Sequence, residues 1–400
     1  MAHRWTSLAA VALLSLVTAC SGADSAEVTD PAPKSTSSPT AARSEDVPSA
    51  LEDPNNPAFP EPLIDLGDLL SGGPPPDGIP AIDQPEFERA DRVDWLEDNE
   101  AVLSLTVGGE TRAYPLRVMT WHEIVNDAVG GTPVAVTYCP LCNSGVAFER
   151  TVDAQGTLNF GTSGLLYADN LVMYDRQTQS LWPQLTGEAS VGALTGTQLV
   201  AIPMGTVAWS DFLAAHPSAK VLSQDTGFDR DYGTNPYSGY DDPNGGLLFG
   251  LPDDLDARLP VKERVVGLVD GPDSVAVVRS SLIGTDPLEV SVGDRTVILW
   301  HRPGQASALD ADTVAGGADI GTVGVFVPVV DGEQLHFEAD GSGFRDRETG
   351  STWSVLGRAT AGPLRGAKLK AYRHLDTFWF AWASFHVDTA LLGSEQNDAP

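Results

Sequence analysis

Cysteine is scarce in this chain, three among 400 residues, which excludes a scaffold built on disulfides. Cations are scarce too: 24 Lys and Arg stand against 55 Asp and Glu, a formal net charge of −31. Nucleic acid needs clustered Lys and Arg, so no nucleic-acid partner is expected. Beyond the N-terminus no run approaches 18 apolar residues, so no spanning helix is expected there. A second C-x-x-C is missing, and Asp241-Asp242 lies in no EF-hand spacing. Gly161-Thr162-Ser163-Gly164 is not a G-x-S-x-G elbow; Ser163 reads as turn chemistry in a segment able to cover a site.

What is present begins with MAHRWTSLAAVALLSLVTAC. Arg4 precedes an apolar stretch from Leu8 to Val17, of signal-peptide length. Val17-Thr18-Ala19-Cys20 then matches a lipobox, in which small residues admit the peptidase and the Cys20 thiol accepts the lipid. The expectation is an extracytoplasmic protein, lipid-anchored at Cys20 to the bacterial cell membrane, with residues 1–19 removed as a signal peptide. Residues 21–62 hold eight Pro and seven Ser and no aromatic residue before Phe59, so 20–62 reads as a disordered tether.

The chain aligns on itself. Asp175, Arg176, Thr178, Ser180 and Trp182 recur as Asp346, Arg347, Thr349, Ser351 and Trp353. Gly187, Ala189, Gly192, Leu194 and Gly196 recur as Gly357, Ala359, Gly362, Leu364 and Gly366. Identities in this order indicate a duplicated unit. The expected halves are 63–250 and a degenerate 251–392, followed by a tail at 393–400. Arg302 stands where the first half has Cys139, and the first half carries about six extra residues within Gly161–Val172.

Short alternating or β-branched segments predict strands at Ala101–Val107, Val134–Tyr138, Val146–Glu149, Leu171–Tyr174, Thr296–Trp300 and Val323–Val330. Helical spacing predicts helices at Pro115–Asn126, Val207–His216 and Phe378–Val387. The fold class is α+β, strand-rich, in two homologous halves.

With Cys20 assigned to lipid, Cys139 and Cys142 remain, in Tyr138-Cys139-Pro140-Leu141-Cys142-Asn143-Ser144-Gly145 between two predicted strands. A thioredoxin-type motif opens a long helix; here another strand follows, which favours a metal knuckle. Two intervening residues let both thiolates face one ion, and His122 is the leading third ligand. The set His122, Cys139 and Cys142 would suit zinc, or copper with Met119 or Met173 added. A reversible disulfide and a static disulfide remain open alternatives. His216 and His386 occupy matching helix ends, a structural place. Zinc deaminases use H-x-E before P-C-x-x-C, which His122-Glu123 and Tyr138-Cys139 do not match. The segment 231–242, with Tyr232, Tyr237 and Tyr240, reads as a linker packed across both halves.

Several stretches together resemble the bacterial family of domain of unknown function 3179. They include Ala113-YPLRVMTWHEIVND, Thr137-YCPLCNSG, Leu171-VMYDRQTQSLWPQLTGEA, Arg230-DYGTNPYSGYD and Thr377-FWFAWASFH. The resemblance implies an exported or lipid-anchored protein and carries no reaction. Whether the chain is an enzyme, and which protein it meets, the sequence does not specify.

Overall fold

Alternating apolar residues build strands along most of the chain, and helix survives only where a spacing of three to four is sustained. The structure, a computed structural model, describes residues 47–153, 155–250, 255–341 and 343–394. Three short α-helices occur among the described residues: α1 (Leu116–His122), α2 (Trp209–Ala215) and α3 (Trp379–Phe385). The rest is mainly antiparallel sheet, so the strand-rich α+β expectation holds.

One sheet orders Met204–Ala208, Ala101–Val107, Glu110–Pro115, Lys220–Leu222 and Phe87–Arg89, with Lys220–Leu222 parallel to Glu110–Pro115. A second orders Val200–Ile202, Ser144–Glu149, Thr132–Cys139 and Ile124–Val129. A third orders Leu69–Ser71, Phe160–Tyr167, Asn170–Asp175 and Leu181–Pro183.

The same three patterns recur later. His374–Phe378, Arg264–Asp270, Asp273–Val278 and Ala390–Leu392 repeat the first, including its parallel pair. Leu288–Val292, Arg295–Arg302, Thr322–Val327 and Lys370–Ala371 repeat the second. Phe337–Asp340, Gly343–Asp346 and Thr352–Trp353 repeat the hairpin and following strand of the third.

Local chemistry repeats with them. Asp175 accepts hydrogen bonds from the Thr178 amide, the Ser180 amide and the Trp182 indole; Asp346 accepts them from Thr349, Ser351 and Trp353. A Cβ added to Gly187 would lie 2.3 Å from the Phe148 ring, and one on Gly357 2.5 Å from Phe326, both at positive φ. Glycine is needed at both places for clearance as well as for backbone freedom.

The strands predicted in the first half lie within observed strands. The predicted strand at Val323–Val330 divides into Thr322–Val327 and Val329–Val330, because Pro328 has no amide for a ladder. The predicted helix at Pro115–Asn126 is corrected. It ends at His122, Glu123 adopts φ 58°, and Ile124–Val129 is a strand. The other two helices shorten to α2 and α3.

The expected tether also needs correction at its end. Ala50 is only 1% exposed and packs with Val172, Tyr174 and Leu181, joined by Leu51 and Phe59. Packing therefore begins before Leu63. The signal peptide, Cys20 and residues 21–46 lie outside the described residues, as does most of the tail. No helix among the described residues is long and apolar enough to cross a membrane.

Two reciprocal contacts join the halves. The Cys142 carbonyl accepts from the Phe378 amide (3.0 Å) and the Thr377 hydroxyl (2.8 Å), just before α3. Arg302, in the place of Cys139, pairs with Asp211 of α2. Each half thus docks the end of one hairpin against the helix region of the other.

Candidate functional site: a buried disulfide beneath an acidic turn

Strands Thr132–Cys139 and Ser144–Glu149 pair to their last register, Cys139 opposite Ser144, leaving residues 140–143 as the turn. Asn143 closes it at φ 52°, a left-handed conformation that Asn tolerates better than most residues. Its amide bonds the Pro140 carbonyl and its side-chain oxygen accepts from Tyr138. Beneath the turn, the buried Gln184 amide donates to the Thr137 hydroxyl at 2.9 Å, and the Ser144 hydroxyl donates to Gln184 at 3.1 Å.

In this frame Cys139 and Cys142 form a disulfide, with Cα atoms 5.4 Å apart. The two residues are 1% and 0% exposed and belong to the same apolar cluster as Phe160, Trp182, Tyr240 and Phe378.

The long hairpin of the first half reaches this disulfide. Its strands run Phe160–Tyr167 and Asn170–Asp175, against Phe337–Asp340 and Gly343–Asp346 in the second half. Ser163 spans the irregularity between Thr162 and Leu165, accepting from the Leu165 amide at 3.0 Å, as turn chemistry predicts. The tip is Ala168-Asp169, both at positive φ (50° and 55°). Such a turn matches the twist of the hairpin but favours Asn-Gly. The Asp169 carbonyl lies 3.9 Å from Cys142 Sγ, so the extra residues do cover the sulfurs.

Asp169 is wholly buried; one carboxylate oxygen is 3.4 Å from the Tyr240 hydroxyl and the other has no partner. The Asn170 side-chain oxygen beside it is likewise buried and unpartnered. Burial pushes the Asp169 carboxyl up to about 7, against the opposing pull of Tyr240 and Lys262. Lys262, itself 1% exposed, donates to the Tyr240 and Gly246 carbonyls.

On the other side Glu123 is buried, its carboxyl pushed up to about 8 by burial alone, and its carbonyl accepts from the Tyr138 amide. The Tyr237 hydroxyl is pushed well up by burial and by Glu123. The tyrosine loop therefore bonds two of these groups, Tyr232 at His122 and Tyr240 at Asp169, and places Tyr237 within electrostatic reach of Glu123. It is tied to the second half through Asn235 and Tyr240, which bond the backbone at Asp312, Ala311 and Leu309. Asp241 pairs with Arg264 at 2.8 Å.

His122 does not join the cysteines. Its Nδ1 donates to the Pro80 carbonyl at 2.7 Å and its Nε2 accepts from the Tyr232 hydroxyl at 2.5 Å, so the ring is neutral with both nitrogens committed. Burial, with Arg230 acting in the same direction, lowers its pKa to about 4. No group of three His, Cys, Asp or Glu able to hold a metal occurs among the described residues. The His122–Cys139–Cys142 set expected for zinc or copper is thus not assembled: the sulfurs bond each other and the imidazole has no free lone pair.

Asp169, Asn170, Gln184 and Lys262 escaped sequence reasoning. The signal available was the polar Asp-Asn pair at the tip of a hairpin extended only in the first half.

The model of one protein family, described as "Protein of unknown function (DUF3179)", matches residues 76–389. The chain belongs to this DUF3179 family. No curated protein and no solved structure matches it. The DUF3179 match spans both halves, from just before the segment that bonds His122 through Pro80 to the end of the α3 region. It thus includes every residue placed at the disulfide.

Proposed function

We propose that this DUF3179 protein is a lipid-anchored extracytoplasmic thiol–disulfide protein, made of one unit duplicated and retaining its active pair, Cys139 and Cys142, in the first copy only. The observation that carries this reading is Asp169: a buried carboxyl with one unpartnered oxygen, in the turn that touches Cys142. A buried polar atom without a partner costs about 1–3 kcal/mol, and a static staple has no use for it. A carboxyl held near neutrality suits proton transfer at that pH.

In the step proposed, the thiolate of an external dithiol attacks one sulfur and forms a mixed disulfide. The other sulfur leaves as thiolate and takes the Asp169 proton. The donor's second thiol then attacks the donor sulfur of the mixed disulfide and gives its proton to the departing protein thiolate. Asp169 takes back from solvent the proton that the donor's first thiol released on ionising. The protein thus gains two electrons and two protons and the donor becomes a disulfide. Because the pair is buried, the attack requires the turn to open.

Equilibration in thiol–disulfide buffers with alkylation trapping tests this. The pair is expected to titrate between about −120 and −270 mV, the range of exchange-active proteins. Resistance to reduction until below about −300 mV, where structural disulfides lie, would overturn it. Asp169→Asn is expected to slow exchange and flatten its pH dependence around 7.

Burial of both cysteines favours a second reading, a structural staple. Closing so short a loop stabilises by only about 2 kcal/mol on the chain-entropy estimate, so Cys139→Ser/Cys142→Ser should cost about that much in a denaturant melt. Tetrahedral zinc on the reduced pair would need two further donors, and no group of three or more His, Cys, Asp or Glu able to hold a metal occurs among the described residues. Reduced protein dialysed against zinc is expected to retain none at unit stoichiometry.

Anchoring at Cys20 is part of the proposal. Cys20→Ser should move the protein from the membrane pellet to the soluble fraction after cell disruption.

A further inference from the structure

A groove unrelated to the disulfide lies where the two halves meet. The strand Met204–Ala208 of the first half packs there against Thr322–Val327 of the second. Its cavity is about 380 Å³, within the range of small-molecule sites. Met204, Val207, Phe326 and Leu356 give it an apolar floor.

Its charge departs from that of the rest of the chain. The sequence has 55 acidic residues and only 24 basic ones, yet no Asp or Glu lines this groove, whereas Arg358, Lys368, Lys370, His216 and His374 do. Arg358 and Lys368 are antiparallel bridge partners, an arrangement in which like charges repel. Both crowd His216 and help lower its pKa after burial has done so. None of the ion pairs among the described residues uses Arg358, Lys368 or Lys370. In a chain with more than twice as many acids as bases, these three exposed cations without a carboxylate partner stand at the rim of an apolar floor, a charge pattern that complements an amphipathic anion.

We infer that this groove binds a single-chain amphipathic anion, a free fatty carboxylate, with the alkyl chain on Met204, Phe326 and Leu356 and the headgroup at Arg358 and Lys368. The cavity accepts one medium-length chain rather than the two of a phospholipid. The thiol pair takes no part, so the Cys139→Ser/Cys142→Ser protein should bind equally well. This inference therefore stands or falls separately from the redox proposal.

Calorimetric titration with decanoate, below its micelle concentration and at low salt, is the test. Saturable binding near one per chain is expected, weakened at least tenfold by Arg358→Glu/Lys368→Glu. Ala371→Trp, an exposed groove position, should abolish it by filling the space. Binding to the unaltered protein should also weaken as ionic strength rises and the Debye length falls below about 10 Å, which needs no variant. Absence of saturable binding, equal affinity for decyltrimethylammonium, or equal affinity for a two-chain phosphatidate would each overturn the inference.

Discussion

Replacing Asp346 by Ala is expected to lower the free energy of unfolding by about 3–5 kcal/mol, as is the matching change at Asp175. Each carboxylate is wholly buried and organises its own turn. At Asp346 the donors are the Thr349 amide (2.6 Å), the Thr349 hydroxyl (2.7 Å), the Ser351 amide (3.1 Å) and the Trp353 indole (2.8 Å). At Asp175 the same four donors lie at 2.6, 2.8, 3.2 and 3.0 Å. Hydrogen bonds to a charged group contribute about 1.5–3 kcal/mol each, and an orphaned buried donor costs about 1–3 kcal/mol. Truncation strands a Trp N–H among aromatic rings with no water to replace the carboxylate. Asn should be harmful as well, because one of its two positions then presents N–H to N–H donors. Denaturant melts of both variants give the measurement; a loss under 1 kcal/mol would mean that water enters and takes over the donors.

A second large effect is expected in the pH dependence of stability. The Glu123 and Asp169 carboxyls are raised by burial to about 8 and about 7, from ordinary values of 4.5 and 3.8. Between pH 8.5 and the ordinary values these two groups hold more protons in the folded state than in the unfolded chain, so their contribution to stability rises as pH falls. From pH 8.5 to 6.5 the two groups together contribute about 2–3 kcal/mol.

Histidines then reverse the trend. His122 and His386 are lowered by burial to about 4 from 6.5, and burial lowers His216, His301 and His374 as well. Around and below pH 6.5 the unfolded chain therefore takes up more protons at these five groups than the two extra ones the folded carboxyls still hold, and stability falls. Thermal melts across pH 5 to 9 should therefore peak near pH 6 to 6.5. Glu123→Gln should flatten the alkaline limb and leave the acid limb in place. A profile rising steadily to pH 9 would refute the burial of Glu123 as a carboxyl.

Most strands could be read from the sequence because alternation is a local signal. Ala101–Val107 was read to its ends, and the repeated Asp-Arg turns could be aligned because each is a self-contained set of hydrogen bonds. Ile124–Val129 was misread because Leu116, Trp121, Ile124 and Val125 continue a helical spacing. The break is a positive φ at Glu123, with neither Gly nor Pro to announce it. Residues 47–62 look like tether by composition, yet a few apolar groups such as Ala50 and Phe59 suffice to hold a segment on a cluster formed elsewhere.

At the site, the cysteine pair was legible and its surroundings were not. His122 and the cysteines are close enough in sequence to suggest one site, but the group that takes up the His122 Nε2 is Tyr232, 110 residues further on. Asp169 belongs to no motif. Its importance comes from a hairpin long enough to reach Cys142 and from burial, neither of which is written in residue spacing.

The carbonyl of Cys142 accepts its hydroxyl hydrogen bond from a residue 235 positions later. A ribosome making this chain finishes the cysteine turn long before it reaches Thr377 and Phe378. By then the hairpin whose tip lies at Cys142 has already been made, but the segment that bonds the Cys142 carbonyl has not. The cysteine turn therefore cannot complete its packing until the last stretch to be made, the FWFAW helix and the strand before it, folds against it.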